Sequence, residues 1–176
     1  KKYPPSTTLY SIQPEIYNPS DGSFTLLSTY HNGQSNHPWM PEVVRAIQMS
    51  DGRIFILSGT FDSAVLDPIT GDVFTSASTL YSRTSAALTS LSGGRILLVG
   101  GDGSPASAEV FNPSGSSRGY NIYLRQSSDL AGTSTLLDSA LTEGRYSDMS
   151  TTVLADGRIM FSGGRGSRAS QLASVD

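Results

Sequence analysis

Both histidines of this chain and its only tryptophan fall in one short stretch, residues 29–42, which reads Thr-Tyr-His-Asn-Gly-Gln-Ser-Asn-His-Pro-Trp-Met-Pro-Glu. An indole face flanked by imidazole and amide donors suits stacking on a sugar ring, so Tyr30, His31, His37 and Trp39 are candidate binding residues. The same two imidazoles, with Asp62 or Asp102, are the weak candidates for a metal site. No third ligand stands at a defined spacing, so no metal or other cofactor is expected. Asp102 and Arg165 lie in Gly101-Asp102-Gly103 and Gly164-Arg165-Gly166 and add a carboxylate and a guanidinium to the binding set. Neither glycine-rich segment opens a helix, which removes a phosphate cradle. No Ser-His-Asp order or close carboxylate pair points to hydrolysis. With no Cys in the chain, thiolate chemistry and disulfides are excluded.

The elements that must carry these residues show themselves as a repeat. Asp51-Gly52-Arg53-Ile54-Phe55-Ile56-Leu57-Ser58-Gly59 returns as Gly93–Gly101 and as Asp156–Gly164. From Arg53 to Arg95 is a step of 42 residues and from Arg95 to Arg158 a step of 63, so the second step holds an insertion. Four strands are predicted in each unit. The first strands are Val43–Ser50, Thr84–Leu91 and Met149–Ala155. The second strands are Arg53–Ser58, Arg95–Gly100 and Arg158–Ser162, apolar throughout as in strands covered on both faces. The third strands, Ser63–Pro68 and Ala108–Pro113, end in Asx-Pro turns. The fourth is Asp72–Thr79. Pro14–Pro19 and Ser23–Leu27 match a third and a fourth strand, and Ala169–Val175 is a weak third strand at the other end. In the insertion, Tyr120–Leu124 alternates like a fourth strand.

The glycine pair, the Asp/Asn-Pro turn and a four-strand unit of this length resemble the kelch family. The resemblance spans nearly all of the chain except residues 29–42 and 114–148. It implies an all-β fold of kelch-type propeller blades, about three of them: a half blade at 1–28, a blade at 43–80, a blade at 84–124 with its insertion at 114–148, and a half blade at 149–176. Three blades do not close a ring, so the expectation is a partial propeller, or one completed by other copies of the chain or by further blades. The binding residues and the loops 29–42 and 114–148 are expected on one loop face, opposite the short turns. Arg125, Asp129, Glu143 and Arg145 are expected as solvated charges there. Arg53, Arg95 and Arg158 are expected to snorkel or to bond nearby carbonyls.

Some propellers similar to the kelch family are secreted copper radical oxidases, which place a Tyr-His pair just before a first strand and crosslink another Tyr to Cys. Here Tyr146 is followed by Ser147, Tyr81 by Ser82, and there is no Cys. The resemblance therefore favours a non-enzymatic binding or assembly module for a glycan or protein. The alternatives are the propeller part of a degenerate or truncated oxidase, and a structural subunit of a fibre or shell. Composition narrows the partners. A net charge of −3 offers no basic face for a nucleic acid, and no apolar run is long enough to span a membrane. Lysine is confined to Lys1 and Lys2, Glu is rare and Ser and Thr are abundant, which favours an extracellular or cell-surface location.

Overall fold

The computed structural model describes residues 14–27, 30–31, 43–58, 61–121, 126–138 and 141–166. His37, Trp39, Arg125 and the expected strand Ala169–Val175 lie outside them. The fold is all-β. A hairpin comes first, β1 (Glu15–Asn18) with β2 (Ser23–Leu26). A two-residue strand β3 (Tyr30–His31) precedes the first full sheet, an antiparallel meander of β4 (Val43–Gln48), β5 (Ile54–Ser58), β6 (Asp62–Leu66) and β7 (Asp72–Thr75). The second full sheet is the meander β8 (Ala87–Ser90), β9 (Ile96–Val99), β10 (Ala108–Asn121) and β11 (Gln126–Leu136). A last pair, β12 (Met149–Val153) with β13 (Ile159–Gly163), closes the described chain.

The turns follow from their residues. Asp51 accepts the Arg53 amide at 3.1 Å on one carboxylate oxygen and the Arg53 guanidinium at 2.7 Å on the other, and Asp156 holds Arg158 in the same way. In each Asx-Pro turn the Asx side chain accepts the amide two residues on: Ser20 at Asn18, Ile69 at Asp67 and Ser114 at Asn112. Equal turns give equal registers. Ile54 lies opposite Gln48 and Leu66, and Ile96 lies opposite Ser90 and Phe111. Val153 lies opposite Ile159 in the last pair.

The sheets stack face to face, and alternation along the second strands fills the spaces between them. Phe55 and Leu57 of β5 meet Ile96 and Leu98 of β9 in one cluster with Met49, Val65, Ala77 and Phe111, where the Phe55 and Phe111 rings lie 4.6 Å apart. Ile56, on the other face of β5, joins Ala64, Leu66 and Val73 under Leu27. Val99, on the other face of β9, joins Ala87, Ala108 and Met149, with Phe161 of β13 against them. Hydroxyls tie the first strands across the stack. Ser90 Oγ donates to Gln48 O at 2.5 Å and Thr151 Oγ1 to Leu88 O at 3.4 Å, over separations of 42 and 63 residues, the two steps of the repeat.

Three expectations are corrected. The fourth strand of the second sheet is β11, and Tyr120–Asn121 instead ends β10, so this sheet runs on to Leu136 rather than ending at 124. The Asx-Pro at Asn112-Pro113 does not end the strand. The ladder shifts register between Asn112 and Ser116 and continues as a long hairpin. That hairpin projects from the end of the sheet that carries the 92–94 turn, so the first half of the insertion lies on the short-turn end and not with the loops. Tyr30–His31 also leaves the expected loop face, because it pairs in parallel with Asp72–Val73, beside the Asp67–Gly71 turn.

The glycine pair after β9 is needed for two reasons. Gly100 has φ +68°, and a Cβ on it would lie 2.5 Å from the Arg145 carbonyl oxygen. Gly157, at φ +85°, has nothing within 4 Å of where a Cβ would stand and so isolates the backbone cost. Gly157→Ala is expected to lower unfolding free energy by roughly 1–3 kcal/mol, and Gly100→Ala by clearly more, in denaturant titrations.

Candidate functional site

Two arginines organise the loop end of the stack. Each stands four residues before a first strand, Arg83 before Ala87 and Arg145 before Met149, and each is 0% exposed. Arg83 Nη1 donates to Gly100 O at 2.5 Å and to Ser104 O and Ser107 O at 3.2 Å; Nη2 donates to Ser107 Oγ at 2.7 Å. Its Nε meets Glu109 Oε1 at 2.8 Å, and Glu109 is also 0% exposed. The same carboxylate accepts the amides of Leu80 and Tyr81 and the hydroxyl of Ser134. This satisfies both buried charges and closes the corner between the two full sheets.

Arg145 repeats the arrangement. Its Nη1 donates to Gly163 O, the counterpart of Gly100 O, and the guanidinium has other contacts as well. Its Nε is buried and makes no hydrogen bond. The expectation of a solvated charge at Arg145 is thus corrected: a tight corner of backbone around Gly101, Pro105 and Gly164 covers it.

The ring and acid groups of the loop end sit on this frame. Thr79 donates its amide to Phe61 O and its hydroxyl to Tyr81 O, which draws the β5–β6 connection and the inter-sheet segment together. Phe61, Leu80 and Tyr81 remain exposed there. The Arg83 guanidinium lies 5.7 Å from the Tyr81 ring centroid and steadies it. Asp62, next to Phe61, is half-buried, and burial pushes its carboxyl above the usual carboxylate range.

The residues singled out in the sequence are scattered. Asp102 is exposed beyond β9, in a turn held by the Gly103 amide on Ser82 O. Arg165 is exposed beyond β13, and its Nε pairs with Asp148 at 2.7 Å. Asp148 is the one non-glycine residue with positive φ (+59°) among those described. Tyr30 and His31 are at the outer margin of the first full sheet, toward the opposite end. Tyr146 is half-buried, with its amide on Arg165 O. Arg53 and Arg158 pair with turn aspartates, whereas Arg95 Nε bonds a carbonyl, that of Ser92. Among the described residues no group of three or more His, Asp or Glu side chains converges, and no helix is long and apolar enough to cross a membrane.

A hollow lies where the first strands converge. It is a groove of about 220 Å³ lined by Arg45, Ala46, Ile47, Ala86, Leu88 and Thr151, with Ala87 and Met149 beside them. Sequence reasoning missed Arg83, Glu109 and the burial of Arg145. The signal was there: an arginine four residues before two of the first strands, and a glutamate opening two of the Asx-Pro segments.

Removing one partner of the buried pair strands the other, so Arg83→Met or Glu109→Gln is expected to cost roughly 3–5 kcal/mol. An Arg83→Met/Glu109→Gln double variant should lose less than the sum of the single losses, as read by a denaturant cycle. For Asp62 the folded-state carboxyl titrates above its unfolded value, so charging it costs stability as pH rises through the folded value. Asp62→Asn should raise the melting temperature at pH 7, and the gain should vanish below the ordinary carboxylate value of 3.8.

No protein-family model matches the chain, and no curated protein matches it either.

Proposed function

We propose that this chain is a non-enzymatic module of kelch-type propeller blades, extracellular or at a cell surface, that assembles with further blades and offers its loop end to a glycan or protein. The observation that carries this reading is the stack itself. Two four-stranded meanders with matching registers pack face to face, with their first strands tied at the repeat steps, between two-stranded sheets. Radial blades of a propeller pack in this manner. The Asp-Gly, Gly-Gly and Asx-Pro turns and the β10–β11 hairpin lie at one end and the connections between successive sheets at the other, which suits a rigid scaffold with binding loops.

At the loop end, Phe61 and Tyr81 are exposed, with Asp62 next to Phe61 in the chain and Asp102 beyond β9. Aromatic faces with carboxylates to accept sugar hydroxyls are the chemistry of a shallow glycan site. The composition, poor in Lys and Glu and rich in Ser and Thr, favours a location outside the cell.

Binding to an immobilised glycan panel, followed by calorimetry on any hit, tests the ligand. Tyr81→Ala and Phe61→Ala should each weaken a bound glycan by about tenfold or less, with unchanged melting temperature for Phe61→Ala. A glycan bound equally well by both variants would place the site elsewhere.

A further inference from the structure

The first strands β4, β8 and β12 follow one pattern, and a single side chain breaks it. Their registers set Arg45 opposite Leu57, Ala87 opposite Val99 and Ser150 opposite Ser162, the same place in each repeat. Two units carry a small residue there, and the first carries a guanidinium on a long stem. The strand that holds it is also the irregular one. The ladder between β4 and β5 slips between Val43 and Arg45, whereas those of β8 with β9 and of β12 with β13 run without a shift. An extra residue bends a strand and increases its twist, and such bulges recur beside functional sites.

The bulge adjoins Arg45 on the wall of the groove of about 220 Å³ between the first strands. Arg45 is exposed, and the ion pairs among the described residues involve other groups. It is the one charged side chain lining the groove. Asp148, beside Met149 in the chain, is taken up by Arg165 at 2.7 Å. Ala46 and Ala86 leave the space open, and Ile47, Leu88 and Met149 give it apolar walls. Thr151 adds a hydroxyl, whose bond to Leu88 O is long at 3.4 Å and leaves the group able to turn.

We propose that this groove binds a small organic carboxylate, with the carboxylate on the Arg45 guanidinium and the Thr151 hydroxyl, and an apolar body against Ile47, Leu88 and Met149. A guanidinium fork matches the two oxygens of a carboxylate, which gives direction as well as attraction. The apolar walls favour an organic anion over an inorganic one. The volume falls below the ~300–1,000 Å³ of sites for drug-sized ligands, so the ligand is of fragment size. The site shares no residue with Phe61, Tyr81, Asp62 and Asp102, so it stands apart from the glycan reading above.

Benzoate is the probe, followed by calorimetry or NMR shifts of the full chain, with benzamide as its neutral isostere, acetate as the anion without a ring, and inorganic phosphate. Saturable benzoate binding with a Kd on the order of millimolar or below is expected. Benzamide should bind at least about tenfold more weakly, and acetate and phosphate should also be weaker. Arg45→Met changes an exposed residue, so it should leave the melting temperature unchanged and weaken benzoate by about tenfold or more. Ala46→Leu keeps the charge and fills the hollow, and it should weaken benzoate as well. If Arg45→Met melts lower, Ala46→Leu decides, because it leaves the guanidinium in place. Benzoate that fails to saturate the unmodified protein overturns the site. Benzamide or phosphate bound as tightly as benzoate overturns the carboxylate assignment. Benzoate affinity unchanged in Ala46→Leu, or in a fully folded Arg45→Met, overturns the location between the first strands.

Discussion

A buried guanidinium held on the carbonyl of the glycine that ends a second strand is the contact on which the rest of the molecule depends. Arg83 holds Gly100 O, and Arg145 holds Gly163 O. A guanidinium presents five N–H donors in a fixed plane, so burying one requires acceptors from several directions. Around Arg83 they come from Gly100, Ser104, Ser107 and Glu109, which means that the whole connection between β9 and β10 folds about one side chain. Glu109 extends the contact to the amides of Leu80 and Tyr81 and so reaches the segment arriving from the previous sheet. One ion pair thereby fixes both a corner within a sheet and the junction between two sheets.

This contact explains the glycines. The Gly101 amide donates to Arg145 O, and the backbone of the following unit passes too close for a side chain at Gly100. The sheets can then approach until their apolar faces interdigitate, with the odd and even residues of each second strand serving different neighbours. A strand in this position has no solvent face, which is why β5 is apolar from Ile54 to Leu57 and β9 along its whole length. The periodicity is carried along the first strands, where a hydroxyl of each sheet bonds a carbonyl one unit earlier. The loop end is rigid for the same reason, and Phe61, Tyr81 and Asp62 are displayed from a frame whose corners are internally bonded.

The candidate site was less legible than the frame. Polar loop chemistry drew attention to Tyr30, His31, Asp102 and Arg165, yet the fold sends Tyr30–His31 to the margin of a sheet at the turn end. Asp102 and Arg165 remain at the loop end, each beyond a different sheet. Segments that meet through sheet stacking, such as those of Phe61 and Tyr81, whose carbonyls both accept the Thr79 hydroxyl, are joined in sequence by connections whose path no local pattern dictates. Charge was misleading as well. Arg145 reads as a surface residue among Glu143 and Tyr146, and only the backbone closing over it makes it an interior group.

The sequence by itself determined the first and second strands of the repeat, the turns between them and their registers. These depend on local chemistry: alternation over a few residues, an Asx side chain capping its own turn, and a glycine where a Cβ would be strained. Tertiary structure alone decided which arginines are interior, that β10 runs on through Asn112-Pro113 into a long hairpin, and which aromatic rings share the loop end. Those outcomes follow from contacts between units 42 and 63 residues apart. Their energy comes from burial and from satisfying buried donors, and neither exists until the sheets have stacked.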